Sequence, residues 1–254
     1  MKHRLRIGLA LAVFALMTQA QSVGRIVVNN DEWTLRDSGF FDPNDPDDFA
    51  LNVANWFAGG LGNFRSWTTN SALGGTSLNA TLTGAGHTWT HSIGGTFDLP
   101  ALMAYDGIFL ARYASDLPSA TVAPVLTDYV NAGGNVYIAA GTGIGGSAGE
   151  AEYWNAFLNN FGLGLVGTTY NGISGSIAIS SPHAIFAGVD HLYQNNGNDV
   201  VDLDGADPKN QVLVSQGGHG LYAVYDPVPE PASAVALSAG VVGLLRRRSR
   251  RLSR

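Results

Sequence analysis

Two adjacent carboxylates, Asp31 and Glu32, follow directly on the short apolar run Ile26-Val27-Val28, with Asn29 and Asn30 before them and Trp33 after. Arg112 and Tyr113 follow a second apolar run. Thr142 lies in Gly141-Thr142-Gly143-Ile144-Gly145-Gly146, directly after a third. If the three runs are parallel strands of one sheet, these residues all sit beyond strand carboxyl ends, where open α/β sheets bind ligands. Asn30, Asp31, Glu32, Trp33, Arg112 and Thr142 are therefore the expected ligand crevice: two carboxylates, a guanidinium, an indole and a glycine-rich backbone. The same groups have a purely local use, in which Asp31 and Arg112 pair with each other or cap turns. The glycines also match G-x-G-x-x-G, but a dinucleotide needs an acid after the next strand. Residues 165–172 contain none, so the motif reads as a tight turn.

Other groups invite and then limit chemical readings. Asp202, Asp204 and Asp207, with Asp199 nearby and Gly205 in the turn, offer the oxygen ligands that calcium takes, without the twelve-residue spacing of an EF-hand. Asp42, Asn44, Asp45, Asp47 and Asp48 form a second acidic cluster, three of whose members a helix start explains. Calcium is the one cofactor these acids suggest. His87 and His91 have the spacing of a zinc pair, but Thr88-Trp89-Thr90 between them favours a strand. His183, Asp190 and either Ser181 or Ser215 make a triad only on paper, since no G-x-S-x-G elbow accompanies them. With no cysteine in the chain, thiol nucleophiles, thiolate metal sites and disulfides are excluded. Trp56 and Trp154 fall on helix stripes and read as core, leaving Trp33 and Trp67 as candidate sugar-stacking surfaces. No catalytic residue is assigned.

The elements that must position these groups alternate in type. Residues 25–29 read as a buried strand. Asp45, Pro46, Asp47 and Asp48 start a helix, with Asp45 as N-cap, Phe49, Val53, Trp56 and Phe57 as its apolar stripe, and Gly59-Gly60 as its stop. Residues 107–111 are a continuous apolar strand. Val122, Val125, Leu126, Tyr129 and Val130 then recur at helical spacing, Gly133-Gly134 ends the helix, and residues 135–140 form the next strand. A strand, a helix and a strand with short turns make a right-handed crossover. Ser147 to Glu150 reads as a capping box for a further helix with Tyr153, Trp154, Phe157, Leu158 and Phe161 on its stripe. Strands are expected at 175–179, 199–203, 212–215 and 220–225. The expected fold is a three-layer α/β domain with a mostly parallel sheet and some late antiparallel strands.

Three segments carry a resemblance. They are Asp128-Tyr129-Val130-Asn131-Ala132-Gly133-Gly134-Asn135-Val136-Tyr137-Ile138, Ser181-Pro182-His183-Ala184-Ile185-Phe186-Ala187-Gly188-Val189 and Gly217-Gly218-His219-Gly220-Leu221-Tyr222-Ala223-Val224. Each resembles a recurrent segment of the class I glutamine amidotransferase-like, flavodoxin-like superfamily. Catalytic members of that superfamily carry a cysteine on the turn where this chain has Gly141-Thr142-Gly143. The resemblance thus implies the fold without the amidotransferase chemistry.

The two ends read as delivery signals. Lys2, Arg4 and Arg6, the apolar run 7–17 and Thr18-Gln19-Ala20 have the order of a secretory signal peptide over residues 1–20. Val228-Pro229-Glu230-Pro231, the fourteen-residue apolar run 232–245 and the cationic stop Arg246, Arg247, Arg248, Arg250 and Arg251 resemble the PEP-CTERM sorting signal over residues 228–251. That run is shorter than the roughly 20 residues of a comfortable span, as suits a temporary anchor. The resemblance implies cleavage by an exosortase near Pro229, Glu230 and Pro231, a passing stay in the inner membrane, and delivery to the cell surface or extracellular matrix. Expected partners are signal peptidase, exosortase and an exopolysaccharide. Nine of the fourteen basic residues lie in these ends. Residues 22–227 keep Arg25, Arg36, Arg65, Arg112 and Lys209 against nineteen carboxylates, and so acidic a domain repels nucleic acid. The expected function is a non-catalytic exported surface or matrix protein with a ligand crevice; the alternative is an exported hydrolase of glycans or amides using Asp, Glu and His at strand ends.

Overall fold

The structure is a computed structural model that describes residues 23–92, 94–113 and 117–227. The signal-peptide and sorting-signal expectations fall outside the described residues. No helix among the described residues is long and apolar enough to cross a membrane.

In chain order the elements are β1 (Ile26–Asn29), α1 (Pro46–Ala58), β2 (Asn63–Ser66), α2 (Thr76–Gly84), β3 (Thr88–His91), α3 (Leu99–Leu102), β4 (Gly107–Ala111) and α4 (Ser119–Asn131). There follow β5 (Asn135–Ala139), α5 (Gly146–Leu158), β6 (Leu163–Leu165), β7 (Gly175–Ala178), β8 (His191–Gln194), β9 (Val200–Asp202), β10 (Asn210–Gln216) and β11 (His219–Tyr225). Seven strands form one sheet in the order β10-β11-β1-β5-β4-β2-β3. The five from β1 to β3 in that order are mutually parallel, and β11 and β10 extend the sheet antiparallel. The pairs β6–β9 and β7–β8 are separate antiparallel ribbons. This is the mostly parallel α/β architecture with late antiparallel strands. Counted from β2, the strands follow the doubly wound order 2-1-3-4, and β1 fills the fifth place.

Alternation of side chains across the pleat divides the interior into two cores. Val27, Phe64, Phe109, Tyr137 and Tyr222 face α1 and α2, where Phe49, Val53, Phe57, Leu78 and Leu82 meet them. Val28, Ile108, Leu110, Val136, Ile138 and Ala223 face the other way, onto Leu102, Leu126, Tyr129, Trp154 and Phe157 of α3, α4 and α5. The buried strands β1, β4 and β5 are apolar in nearly every position because helices cover both of their faces.

Two helix starts differ from expectation. Asp45 holds the N-cap position of α1 but makes no cap bond. Its Oδ2 accepts instead from the N–H groups of Asp190 and His191 at 2.8 and 3.0 Å, fastening the β8 strand to the helix start. Pro46 at the first turn and Gly59 in a left-handed C-cap (φ 67°) are as expected. Ser147 and Glu150 do not form a capping box. The glycine loop, with Gly143 and Gly145 at φ 77° and 79°, winds α5 from Gly146. Ser147 then lies inside the first turn and donates to Gly167 O, while Glu150 turns inward and is fully buried.

Candidate functional site

Chains leaving β1 and β2 lead to α1 and α2 on one face of the sheet; those leaving β4 and β5 lead to α4 and α5 on the other. Loops therefore part at two neighbouring places on the carboxyl edge, between β1 and β5 and between β2 and β4. Such partings open ligand crevices. The loop residues of β1, β2, β4 and β5 meet there.

Asp31 is fully buried. Its Oδ1 accepts from Trp33 N at 2.8 Å, and its Oδ2 accepts from Asn195 N and, at 2.7 Å, Asn196 N. Burial pushes its carboxyl up to about 6, and the three N–H donors hold it from rising further. Glu32 is nearly buried. Its Oε2 accepts from the Asn70 amide and its Oε1 stands 3.7 Å from Arg36. Its carboxyl is raised, first by burial and in smaller part by the charge of Glu150, against the pull of Asn70 and Arg36. Asn70, from the loop after β2, also donates to Arg112 O at 3.2 Å, so one amide ties the β1, β2 and β4 loops together. The Thr68 hydroxyl donates to Ala111 O beside it. Glu150 accepts from Thr142 N and Thr142 Oγ1 at 2.9 and 2.7 Å and, on its other oxygen, from the Tyr170 hydroxyl at 2.9 Å.

Beneath these lies a second polar layer without exposure. The Asn29 amide donates to the Tyr137 hydroxyl at 3.0 Å, and Gln194 donates to the Tyr222 hydroxyl at 2.7 Å, which also meets Thr34 Oγ1. Burial raises both phenols. Asn30 is fully buried, and neither polar atom of its side chain has a hydrogen-bond partner. It is pressed between two glycines: a Cβ at Gly197 would stand 1.7 Å from Asn30 O, and one at Gly141 (φ 70°) 2.8 Å from the same atom.

The expected crevice residues thus share one edge but not one function. Asp31 and Arg112 do not pair; Asp31 has the turn-holding use that the sequence left open. Trp33 is half-buried, with Arg36 lying over its ring at 4.7 Å and Tyr193 beside it. Arg112 faces a separate opening, a cavity of about 510 Å³ between the β4 loop and the starts of α4 and α5. Its Nη1 donates to Ile144 O at 3.0 Å and to Gly149 O, and its guanidinium lies 4.7 Å from the Tyr153 ring. Asn70 and Tyr170 carry no sequence signal, and the sequence assigns Tyr153 only a place on a helix stripe and Glu150 only a helix cap. Nothing in the spacing of Asn70 or Tyr170 marks them, because their partners lie 38 and 20 residues away.

Asp202 accepts from Asp204 N, Asp204 from Ala206 N, and Asp207 from Lys209 N, with Lys209 Nζ at 3.1 Å from its other oxygen. Each carboxylate of the suggested calcium set is engaged in its own turn. Among the described residues no three acidic or histidine side chains gather to hold a metal ion. His219 meets Asp199 at 2.9 Å. His87 accepts from Gly62 N through Nδ1, and His91 lies 3.1 Å from Ser66 Oγ. Ser66 is fully buried and cannot meet a substrate. His183 uses Nδ1 to cap a short 3-10 turn at Ile185 N. Trp56 is half-buried beneath Arg25 rather than in the core, and Trp67 is covered by Arg65 at 3.7 Å.

Set against protein-family models, curated proteins and solved structures, the chain matches none.

Proposed function

We propose that this is an exported, exosortase-processed protein of the cell surface or extracellular matrix, whose α/β domain binds a glycan at the carboxyl edge of its sheet without turning it over. Export and sorting rest on the two ends: the basic, apolar and small-residue order before Gln21, and the Pro229-Glu230-Pro231, apolar and arginine order after Val228. The domain resembles a glutamine amidotransferase-like domain in which Gly141-Thr142-Gly143 stands at the end of β5 where a nucleophilic cysteine would be needed.

One observation supports the non-catalytic reading above the rest. The buried carboxylates among the described residues of the expected crevice and beside it are consumed in holding loops: Asp31 by three backbone N–H groups, Glu32 by Asn70 and Arg36, Glu150 by Thr142 and Tyr170. A general acid or base needs an open pocket and reach to a substrate proton. Asp31, raised to about 6, has the acidity that the hydrolase alternative wants but no access to solvent.

The test is retention of the protein on the exopolysaccharide of its own host, with the polysaccharide sized before and after incubation. Retention with unchanged chain length is expected. Shortening of the chains would establish the hydrolase instead, and absence of retention would remove the glycan.

A further inference from the structure

Between the two ends the chain has five cations among nineteen carboxylates, and four of the five are fully accounted for. Arg25 pairs with Asp226 at 3.4 Å, Arg36 with Glu32 at 3.7 Å and Lys209 with Asp207 at 3.1 Å. Arg65 is buried, lying over the Trp67 ring and donating to Ser92 O, Gly94 O and the Tyr105 hydroxyl. Arg112 is different. Its Nη1 is anchored to two backbone carbonyls, and among the described residues no carboxylate lies within ion-pair distance. The Nε and Nη2 donors, the side-on pair that grips a carboxylate with two parallel bonds, have no protein acceptor among the described residues.

That guanidinium lines the 510 Å³ cavity with Tyr113, Ser119, Ile144, Glu152 and Tyr153. The volume lies within the roughly 300–1,000 Å³ of small-ligand sites. Tyr113 and Leu117 expose much of their apolar surface at its mouth. The thirteen-residue α4 begins at Ser119 on its wall, after a Pro118 N-cap that makes no side-chain cap bond, so its positive end adds to the field of Arg112. In so acidic a domain, a cation held rigid on one nitrogen, open on the others and turned to a cavity is placed for an anion that none of the described residues supplies.

We propose that the Arg112 cavity binds a small ligand through a single carboxylate, with the apolar walls taking the face of its ring, as a uronic acid would present. This rests on the glycan-binding reading and names the sugar class. A phosphate dianion doubles the pull of Arg112 and the push of Glu152 alike, and it has no apolar face for the walls to take.

Titration calorimetry of the purified protein with glucuronate and galacturonate, against glucose, acetate and inorganic phosphate, tests this directly. A uronate should bind at least tenfold more tightly than each of the three controls, and more weakly as salt rises. Arg112→Lys keeps the charge and loses the side-on fork, and should weaken uronate at least tenfold. Because Arg112 also holds the Ile144 and Gly149 carbonyls, a second variant is needed that leaves them alone. Glu152→Gln, at an exposed position, should tighten uronate two- to fivefold by removing the rim charge. Equal binding of glucose, acetate or phosphate, or a Glu152→Gln affinity no tighter than wild type, would overturn the proposal. Retention on host polysaccharide with no uronate binding would overturn this inference while leaving the proposed function standing.

Discussion

Replacing Asp31 by Asn separates the two things its buried carboxyl does: accept three backbone N–H groups and carry a charge away from water. Burial holds the carboxyl at about 6 instead of its ordinary 3.8. At about 1.4 kcal/mol per pH unit, ionising it costs the fold on the order of 3 kcal/mol by pH 7. The sign follows from the raised value. The neutral form is favoured in the folded state, so this contribution is complete below about pH 4, declines from about 4 to 6, and is gone above. Asn does not ionise; with its NH2 turned to Trp33, the orientation that leaves the fewest donors unmet, one N–H loses its oxygen acceptor, at about 1–3 kcal/mol. Near pH 7 the two effects oppose each other and the variant should lie close to wild type. Between pH 7 and pH 4 the wild type should gain up to about 3 kcal/mol on the variant, roughly 6–12 °C in midpoint for a domain of this size. Glu32 is raised in the same direction and its charge also lifts Asp31, so the difference between the two curves reports Asp31 together with its coupling to Glu32. Urea unfolding followed by tryptophan fluorescence from pH 4 to 7 measures it. Parallel pH curves for the two proteins would refute the buried, ionising Asp31 described above.

Other changes probe the same edge. Glu150→Gln removes one of the oxygens that hold Thr142 and Tyr170, and should cost about 1–3 kcal/mol with faster hydrogen exchange in residues 141–146; unchanged exchange there would deny Glu150 its anchoring role. Gly197→Ala puts a methyl 1.7 Å from Asn30 O and should cost at least the roughly 1–3 kcal/mol of an overpacked core, so an unaltered thermal midpoint would contradict the packing of that loop on β1. Asp37 caps α2 from a distant turn, accepting from Ser77 N at 2.8 Å and Thr76 N at 3.2 Å, which holds its carboxyl below the ordinary range. Asp37→Ala should cost about 1 kcal/mol at pH 7, and the loss should shrink as pH falls through the carboxylate range, where the wild-type cap is itself neutralised.

The legible parts of the fold were those whose pattern is local. The β4, α4, β5 unit announces itself because its strands are apolar throughout and its helix keeps a clean stripe through Val122, Leu126, Tyr129 and Val130. The β2 strand, Asn-Phe-Arg-Ser, does not, since Arg65 is buried by the Ser92 and Gly94 carbonyls and by Tyr105, 27 to 40 residues away, as well as by its neighbour Trp67. The placement of β1 beside β5 is likewise a long-range packing result that no periodicity carries. At the site, residue type and position after a strand found Asp31, Glu32 and Arg112. The meaning of each came from partners remote in sequence: Asn195 and Asn196 for Asp31, Asn70 for Glu32, and the Ile144 and Gly149 carbonyls for Arg112. Ser-x-x-Glu misleads at Glu150 because its spacing is the same whether the helix begins at Ser147 or, as it does, one residue earlier at Gly146.

The mass and location of the protein in cells with and without an active exosortase bear most directly on the account. With the enzyme active, the protein should be recovered outside the inner membrane, beginning near Gln21 and ending near Pro229-Glu230-Pro231, without its terminal arginines. Without it, the arginines should persist in an inner-membrane form. A full-length product in the cytosol of both strains would contradict the account at its root.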